Sequence, residues 1–175
     1  MPVLPIITIP NSVLSTKCSK VKDLDTEAEK IMTNLEETLW EGRFKGVGLA
    51  APQLGYTQRI FAAHRSLKKD QDPVKYMFVN PEITKFSTAT EIGWEGCLSI
   101  PDTYCKVKRS KEIVVEYMDK NGEKQKTRAS GFFARIIQHE LDHLDGILIT
   151  HKCIGEPKTE KELDAILANE RDQNA

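Results

Sequence analysis

Two histidines four residues apart with a glutamate between them, His139-Glu140-Leu141-Asp142-His143, are the side chains in this sequence best placed to do chemistry. Side chains four apart on an α-helix lie one above the other, so His139 and His143 can offer two imidazole nitrogens to one cation. Glu140 sits one step round the same turn, where it can reach a water or substrate atom held by that cation and act as general base. Chance supplies this H-E-x-x-H pattern in about one chain in a hundred of this composition. The flanking residues strengthen the reading. Ile136, Ile137, Leu141 and Leu144 interleave with the histidines, so much of the helix must be buried, and a buried His pair beside a buried Glu is costly without compensation. A cation supplies that compensation.

Two histidines do not complete a catalytic site of this kind, which ordinarily takes a third protein ligand and a water. Cys97, in Glu95-Gly96-Cys97-Leu98-Ser99-Ile100-Pro101, is one candidate, and Cys105 is a competing thiol. Cys18 and Cys153 lie in less ordered context. The distance in sequence to His139 is too long to decide. No pair has C-x-x-C spacing, and the four cysteines are expected to be free thiols or ligands rather than disulfides. Gly46-Val47-Gly48-Leu49-Ala50-Ala51-Pro52-Gln53-Leu54-Gly55 is neither helix-periodic nor strand-alternating. Its small residues allow another backbone to approach, as an extended peptide held by main-chain hydrogen bonds would. A phosphate cradle fits poorly because the Gly-Lys-Ser/Thr ending is absent. Gln53 is the one amide side chain there and could stabilise an oxyanion. His64 and His151 have no evident partner and read as structural or solvated.

The elements that must position these groups fit one domain over residues 1–175. Hydrophobic residues at 39% and charged ones at 29% are globular values that permit a core. A net charge of −1 gives no field to draw nucleic acid or anionic lipid. The apolar start, Met1 to Pro10, is too short and proline-broken for a signal peptide or membrane span, so a cytoplasmic location is expected. A helix is expected from Asp25 to Glu41, with Ala28, Met32, Leu35 and Leu39 on one stripe and Gly42 ending it. Trp40 should pack rather than bind. Short strands are expected at Ile60–Ala63, Tyr76–Val79, Tyr104–Lys108 and Glu112–Tyr117, with an Asn121-Gly122 turn leading to a polar strand over Lys124–Arg128. Such connections imply antiparallel pairing. The helix carrying His139 should begin after Ser130 and end near Gly146. Ile147–Ile149 reads as a last short strand. Thr159-Glu160-Lys161-Glu162 is a capping box opening a C-terminal helix with Leu163, Ile166 and Leu167 on one side.

Three separated segments, Gly46 to Gln53, Glu95 to Ser99 and His139 to His143, resemble in order and separation the three motifs of the peptide deformylases. The resemblance implies an α+β fold with antiparallel β-sheets around a central metal-binding helix, an N-terminal scaffold helix and a C-terminal helix. It also implies Cys97, rather than Cys105, as third metal ligand beside His139 and His143. The implied reaction is hydrolysis of the N-formyl group from the initiator methionine of nascent polypeptides, releasing formate. In it, metal-bound hydroxide attacks the formyl carbon, Glu140 is general base and then acid, and the Gln53 amide with the Leu98 N–H stabilises the oxyanion. Substrate would contact Gly46, Val47, Gly48, Gly96, Tyr104, Phe132, Arg135 and Ile136, with Asp142 and Ser99 as supports. The implied cofactor is one divalent ion, Fe(II) physiologically, with Zn(II), Ni(II) or Co(II) as substitutes. The implied partners are the N-formylmethionyl peptide and, transiently, the ribosome, in a bacterial-type cytoplasm.

Three positions depart from the common pattern of that family. Arg135 stands where many members have an aliphatic residue near the methionine pocket, and its stem is expected to line the pocket with the guanidinium at the rim. Trp94 occupies an often acidic place, and Tyr104 one where some relatives carry arginine. Two rival readings are a zinc endopeptidase, which the cysteine ligand disfavours, and a non-catalytic binding protein, which would have degraded motifs.

Overall fold

The computed structural model describes residues 3–41, 46–66 and 71–173. Gly42, expected to end the first helix, lies outside them. Helix α1 (Thr26–Glu36) starts where the Asp25 carboxylate accepts the Ala28 N–H at 2.9 Å, and its apolar stripe of Ala28, Ile31, Met32 and Leu35 is buried. The last expected turn, Glu37–Glu41, is a π-helical turn rather than α, and Leu39 still faces the core. Trp40 packs against that core, with Lys75 Nζ 4.8 Å from its ring centre.

The small-residue run that follows is a short strand, β1 (Gly48–Ala50), running into a 3-10 helix at Ala51–Leu54. Strands β2 (Ile60–Arg65), β3 (Val74–Phe86), β4 (Thr90–Cys97), β5 (Ile100–Ser110), β6 (Glu112–Met118) and β7 (Lys124–Ser130) complete two antiparallel sheets. One has the order β1-β2-β3-β6-β7, and the other is the β4-β5 hairpin. Helix α2 (Gly131–Leu144) lies against both. The β2-β3 pair is covered on each face, which is why Ile60–Ala63 is an unbroken apolar run. Ile60, Ala62, Met77 and Val79 pack on α1, while Phe61, Ala63 and Phe78 pack on α2. Phe78 stacks on Phe61 at 4.4 Å between centroids and packs at a 45° tilt against Tyr117 at 4.3 Å.

Between β6 and β7 the turn uses one left-handed residue, Gly122 at φ +83°, rather than two. The Asp119 carboxylate accepts the Asn121 and Glu123 N–H groups and closes it. Strand β4 was not expected as such, because it holds Gly93 and Gly96 and buries Glu95 rather than a hydrophobic row. Ser130 occupies the N-cap of α2 without a side-chain cap bond.

After α2 the expected strand at Ile147–Ile149 is absent. Ile149–Lys152 is a 3-10 turn, because the free edge of β5 is taken by residues further on: Ile154 N–H donates to Lys106 O, and Lys158 exchanges both backbone bonds with Tyr104. Cys105 and Cys153 are joined there as a disulfide with Cα atoms 5.0 Å apart. The expectation of free thiols holds for Cys18 and Cys97 only. Helix α3 (Glu160–Gln173) opens on the expected capping box: Glu162 accepts Thr159 N–H at 2.8 Å and Thr159 Oγ1 accepts Glu162 N–H. Leu163 is buried against the body.

Because Phe78 is fully buried between two rings and α2, Phe78→Ala should cost about 3–5 kcal/mol of stability, read from the urea unfolding midpoint. A loss below about 1 kcal/mol would show that the site helix does not lean on this column.

Candidate metal centre and active-site cavity

His139 and His143 stand one turn apart on α2, their ring centres 5.0 Å apart and their planes at 69°. Cys97 ends β4, two residues beyond Glu95, and although the pairing with β5 shifts register between Gly96 and Cys97, both side chains meet α2. Its Sγ lies 3.2 Å from His143 Nε2, and ligand atoms of Cys97, His139 and His143 all lie within 4.8 Å of one another. A thiol and two imidazoles gathered so closely suit a cation that takes sulfur and nitrogen tetrahedrally. A further observation fits such an ion: Glu140 Oε2 is buried without a hydrogen-bond partner, the condition in which native folds keep polar atoms for a function or an ion.

The tautomer of His139 is set from behind. Its Nδ1 lies 3.1 Å from Glu95 Oε2, leaving Nε2 toward Cys97 and His143, the carboxylate-histidine arrangement that orients metal ligands. Glu95 is itself clamped: Arg109 donates through Nε at 2.9 Å and Nη2 at 2.8 Å, and Arg135 Nη1 donates at 2.8 Å. Burial alone would raise the Glu95 pKa, but the Arg109 and His139 bonds and their charges hold it well below the usual carboxylate range. Arg109 reaches on to Asp142, which Lys152 also pairs at 2.7 Å. His143 is pushed well below the ordinary imidazole value, first by burial and then by the His139 and Arg109 charges.

Glu140 answers to opposite forces. Burial pushes its pKa up to about 7 against the pull of His139. Its carboxylate is held by packing against Gly48, where a Cβ would fall 2.3 Å from Oε1 and 2.7 Å from the carboxyl carbon. Gln53, in the 3-10 turn after β1, is oriented by its own backbone. Its Oε1 accepts the Ala50 N–H at 2.9 Å, so the amide NH2 faces Ser99 Oγ at 3.1 Å and Cys97 Sγ at 3.9 Å.

These groups sit in a cavity of about 590 Å³ between β1, the β4-β5 hairpin and α2. The expected residues Gly46, Val47, Gly48, Gln53, Cys97 and Leu98 line one side of it. Gly96, Tyr104, Phe132, Arg135, Ile136, His139 and Glu140 line the rest, and His143 is enclosed behind Cys97. Tyr104 lies against the Gly96 backbone, where a Cβ would come within 2.7 Å of its ring. Phe132 is 65% exposed at the mouth.

Arg135 corrects the expectation of a guanidinium at the rim. The residue is 8% exposed, and besides Glu95 it donates to Val107 O at 2.9 Å and Glu91 O at 3.0 Å. Three fixed acceptors draw the group inward. Sequence reasoning assigned nothing to Glu95 and overlooked Arg109. A signal for Arg109 existed: it is in phase with Cys105 and Val107, the buried alternation of β5.

Among the described residues no helix is long and apolar enough to cross a membrane. The polypeptide deformylase family model matches residues 3–159. A peptide deformylase of Wolbachia sp. subsp. Drosophila simulans is 41% identical over 155 residues, 85% of this chain and 86% of that one. Among solved structures, the peptide deformylase of Thermotoga maritima is 35% identical with a TM-score of 0.77, covering 88% of this chain and 99% of that one. That of Ehrlichia chaffeensis is 30% identical with a TM-score of 0.80, covering 98% and 97%. The same α+β arrangement of antiparallel sheets and helices is common to them and to this chain, which therefore belongs to the polypeptide deformylase family of enzymes.

Proposed function

We propose that this chain, acting as one catalytic domain, hydrolyses the N-formyl group from the initiator methionine of nascent polypeptides and releases formate. The observation that carries the reading is the Cys97, His139 and His143 donor group beside a buried carboxylate, Glu140, whose Oε2 has no partner. The three ligands would hold one divalent ion, Fe(II) physiologically, with Zn(II), Ni(II) or Co(II) as substitutes. When bound, the ion supplies a Lewis acid that polarises the formyl carbonyl and acidifies water.

The protein's own groups do the rest. Glu140 takes a proton from the attacking water and passes it to the departing amine, and its raised proton affinity suits both transfers. The carbonyl oxygen, as it gains charge, meets the Gln53 NH2, already turned toward Cys97 by the Ala50 N–H, and the backbone N–H of Leu98. Formate leaves and the amine keeps the proton. An extended peptide fits between Gly46–Gly48 and Gly96, where small residues let main chains pair. Its first side chain would sit among Phe132, Arg135 and Ile136, with Tyr104 beside the next residues. Nascent chains as substrates place the reaction in the cytoplasm, in transient contact with the ribosome.

Protein purified without oxygen and loaded with Fe(II) or Ni(II) should release formate from a formyl-methionyl tripeptide. Glu140→Ala should lower that rate by about 10²–10⁴ while metal content stays unchanged. No formate from the loaded wild type would overturn the function. Cys97→Ser should lose the metal, measured by elemental analysis, and one full equivalent retained would remove Cys97 from the ligand set. Gln53→Ala should reduce kcat by about 10²–10³ with KM little moved; a change confined to KM would make Gln53 a binding group instead.

A further inference from the structure

Cys105 follows directly on a stretch of β5, Ile100 to Tyr104, in which every residue lines the cavity. One edge of that stretch is paired with β4, where Tyr104 stands opposite Gly96. The other edge is covered by residues returning after α2. Tyr104 exchanges both backbone bonds with Lys158 at 2.8 Å, and Lys106 O accepts the Ile154 N–H at 2.8 Å. Asp102, left-handed at φ +51°, accepts the Glu160 N–H at 2.7 Å and so receives the start of α3. This return is lightly seated. Residues 154–157 are exposed, and α3 adds Leu163 as its one fully enclosed side chain, with Ile166 and Leu167 half-buried. Backbone bonds at the surface open readily when little apolar area covers them.

The Cys105–Cys153 disulfide is the covalent tie across this edge, and its two sulfurs differ in access. Cys105 is fully buried with Leu14, Ile100, Val107, Leu148 and Ile149, whereas Cys153 is half-buried. An external thiolate therefore reaches the Cys153 sulfur first. Cys105 would leave as a thiol, which an apolar site accepts as a small hydrophobe, so β5 need not move. Upstream, the chain is fixed as far as 152 by the buried Ile149 and by Lys152 Nζ, 2.7 Å from Asp142 Oδ1. Release would begin at 153.

From a disulfide with one shielded and one reachable sulfur, tying an exposed return to the strand that walls the cavity, we infer that Cys105–Cys153 is a redox latch on substrate binding. Closed, it holds residues 153–158 along β5 and fixes Asp102 to Tyr104. Open, it lets the return and α3 detach and loosens that wall, while the metal ligands keep their places. A cellular dithiol opens it. Its first thiolate attacks Cys153 Sγ, the bond to Cys105 breaks and Cys105 takes a proton; its second thiolate then displaces Cys153 as a thiol, leaving a cyclic disulfide on the reductant. Two electrons pass from the dithiol to the protein, and a disulfide oxidant reverses the exchange. In a reducing cytoplasm such a bond turns over rather than persists. Only the compartment and the effect on substrate rest on the deformylase reading.

The test compares the full chain, loaded with Ni(II), after incubation with oxidised glutathione and after reduction with dithiothreitol and desalting, metal content being confirmed equal in both. Alkylation in denaturant should find two free thiols in the first sample, Cys18 and Cys97, and all four in the second. Trypsin should cut after Lys158 or Lys161 about tenfold faster in the reduced sample. On reduction KM for a formyl-methionyl tripeptide should rise about threefold or more with kcat within about twofold, the split expected when a binding wall rather than the metal site is disturbed. Cys153→Ser should match the reduced sample and ignore the redox buffer. Four thiols in the oxidised sample, equal trypsin rates, or a KM that does not move would overturn the latch. If Cys153→Ser does not fold, the two wild-type samples decide. Formate from neither sample would overturn the deformylase reading itself; thiol count, trypsin rate and calorimetric affinity for the deformylated tripeptide would then decide the latch.

Discussion

Four N–H groups converge on one carboxylate, and the rest of the site hangs from that convergence. Glu95 takes two bonds from Arg109, one from Arg135 and one from His139, joining β4, β5 and α2 at a single buried point. Burying any one of these charges alone would cost several kcal/mol, so each is tolerable only because the others are in place. The consequence is geometric. Glu95 meets His139 Nδ1 from behind and Cys97, two residues on, meets His143 of the same helix, the β4-β5 pairing shifting register between Gly96 and Cys97. A ligand from the hairpin and two from the helix are thereby held at fixed separation by a network that includes none of the ligand atoms facing the cavity.

Helix α2 shows the same economy. It is buried on most of its surface yet carries Arg135, Gln138, Glu140 and His143 among its enclosed residues. Gln138 is satisfied: its Nε2 donates to Ser110 O and Ala134 O, and its Oε1 accepts the Ser110 N–H, clipping α2 to the end of β5. Arg135 is satisfied on both terminal nitrogens. The buried atoms of this helix left without partners, Glu140 Oε2 and His143 Nδ1, belong to the residues of the ligand motif. Polar satisfaction thus divides the helix into a scaffold side and a reactive side.

The division was only partly legible beforehand. The ligand helix and the small-residue segment could be found from residue types, because helical spacing and glycine content are local properties, whereas Cys97 was preferred to Cys105 only through the family resemblance. The antiparallel β-strands and the α3 capping box followed from equally local signals. What failed depended on partners far away in sequence. Strand β4 has no hydrophobic alternation because its inward residue is Glu95, whose place makes sense only with Arg109 opposite. Arg135 was expected to extend to the rim, the usual course for a long cation, since Val107 O and Glu91 O as acceptors exist only after the hairpin docks. The Cys105–Cys153 pairing and the missing strand at Ile147–Ile149 share one cause, the return of residues 153–158 along the edge of β5.

Two carboxylates flank His139, and the fold treats them in opposite ways. Glu95 is surrounded by fixed cationic donors, which stabilise its charge and make it a poor proton acceptor. Glu140 is given almost none; it is held by burial and by the absence of a side chain at Gly48, and its proton affinity rises to the neutral range. Hydrogen bonds strong enough to fix Glu140 as firmly as Glu95 would depress its pKa and end its use as a base. Steric confinement is the means of positioning a carboxylate that leaves its basicity intact. That explains why a glycine lies against the Glu140 carboxylate: a methyl group at position 48 would occupy the volume that its carboxylate must fill.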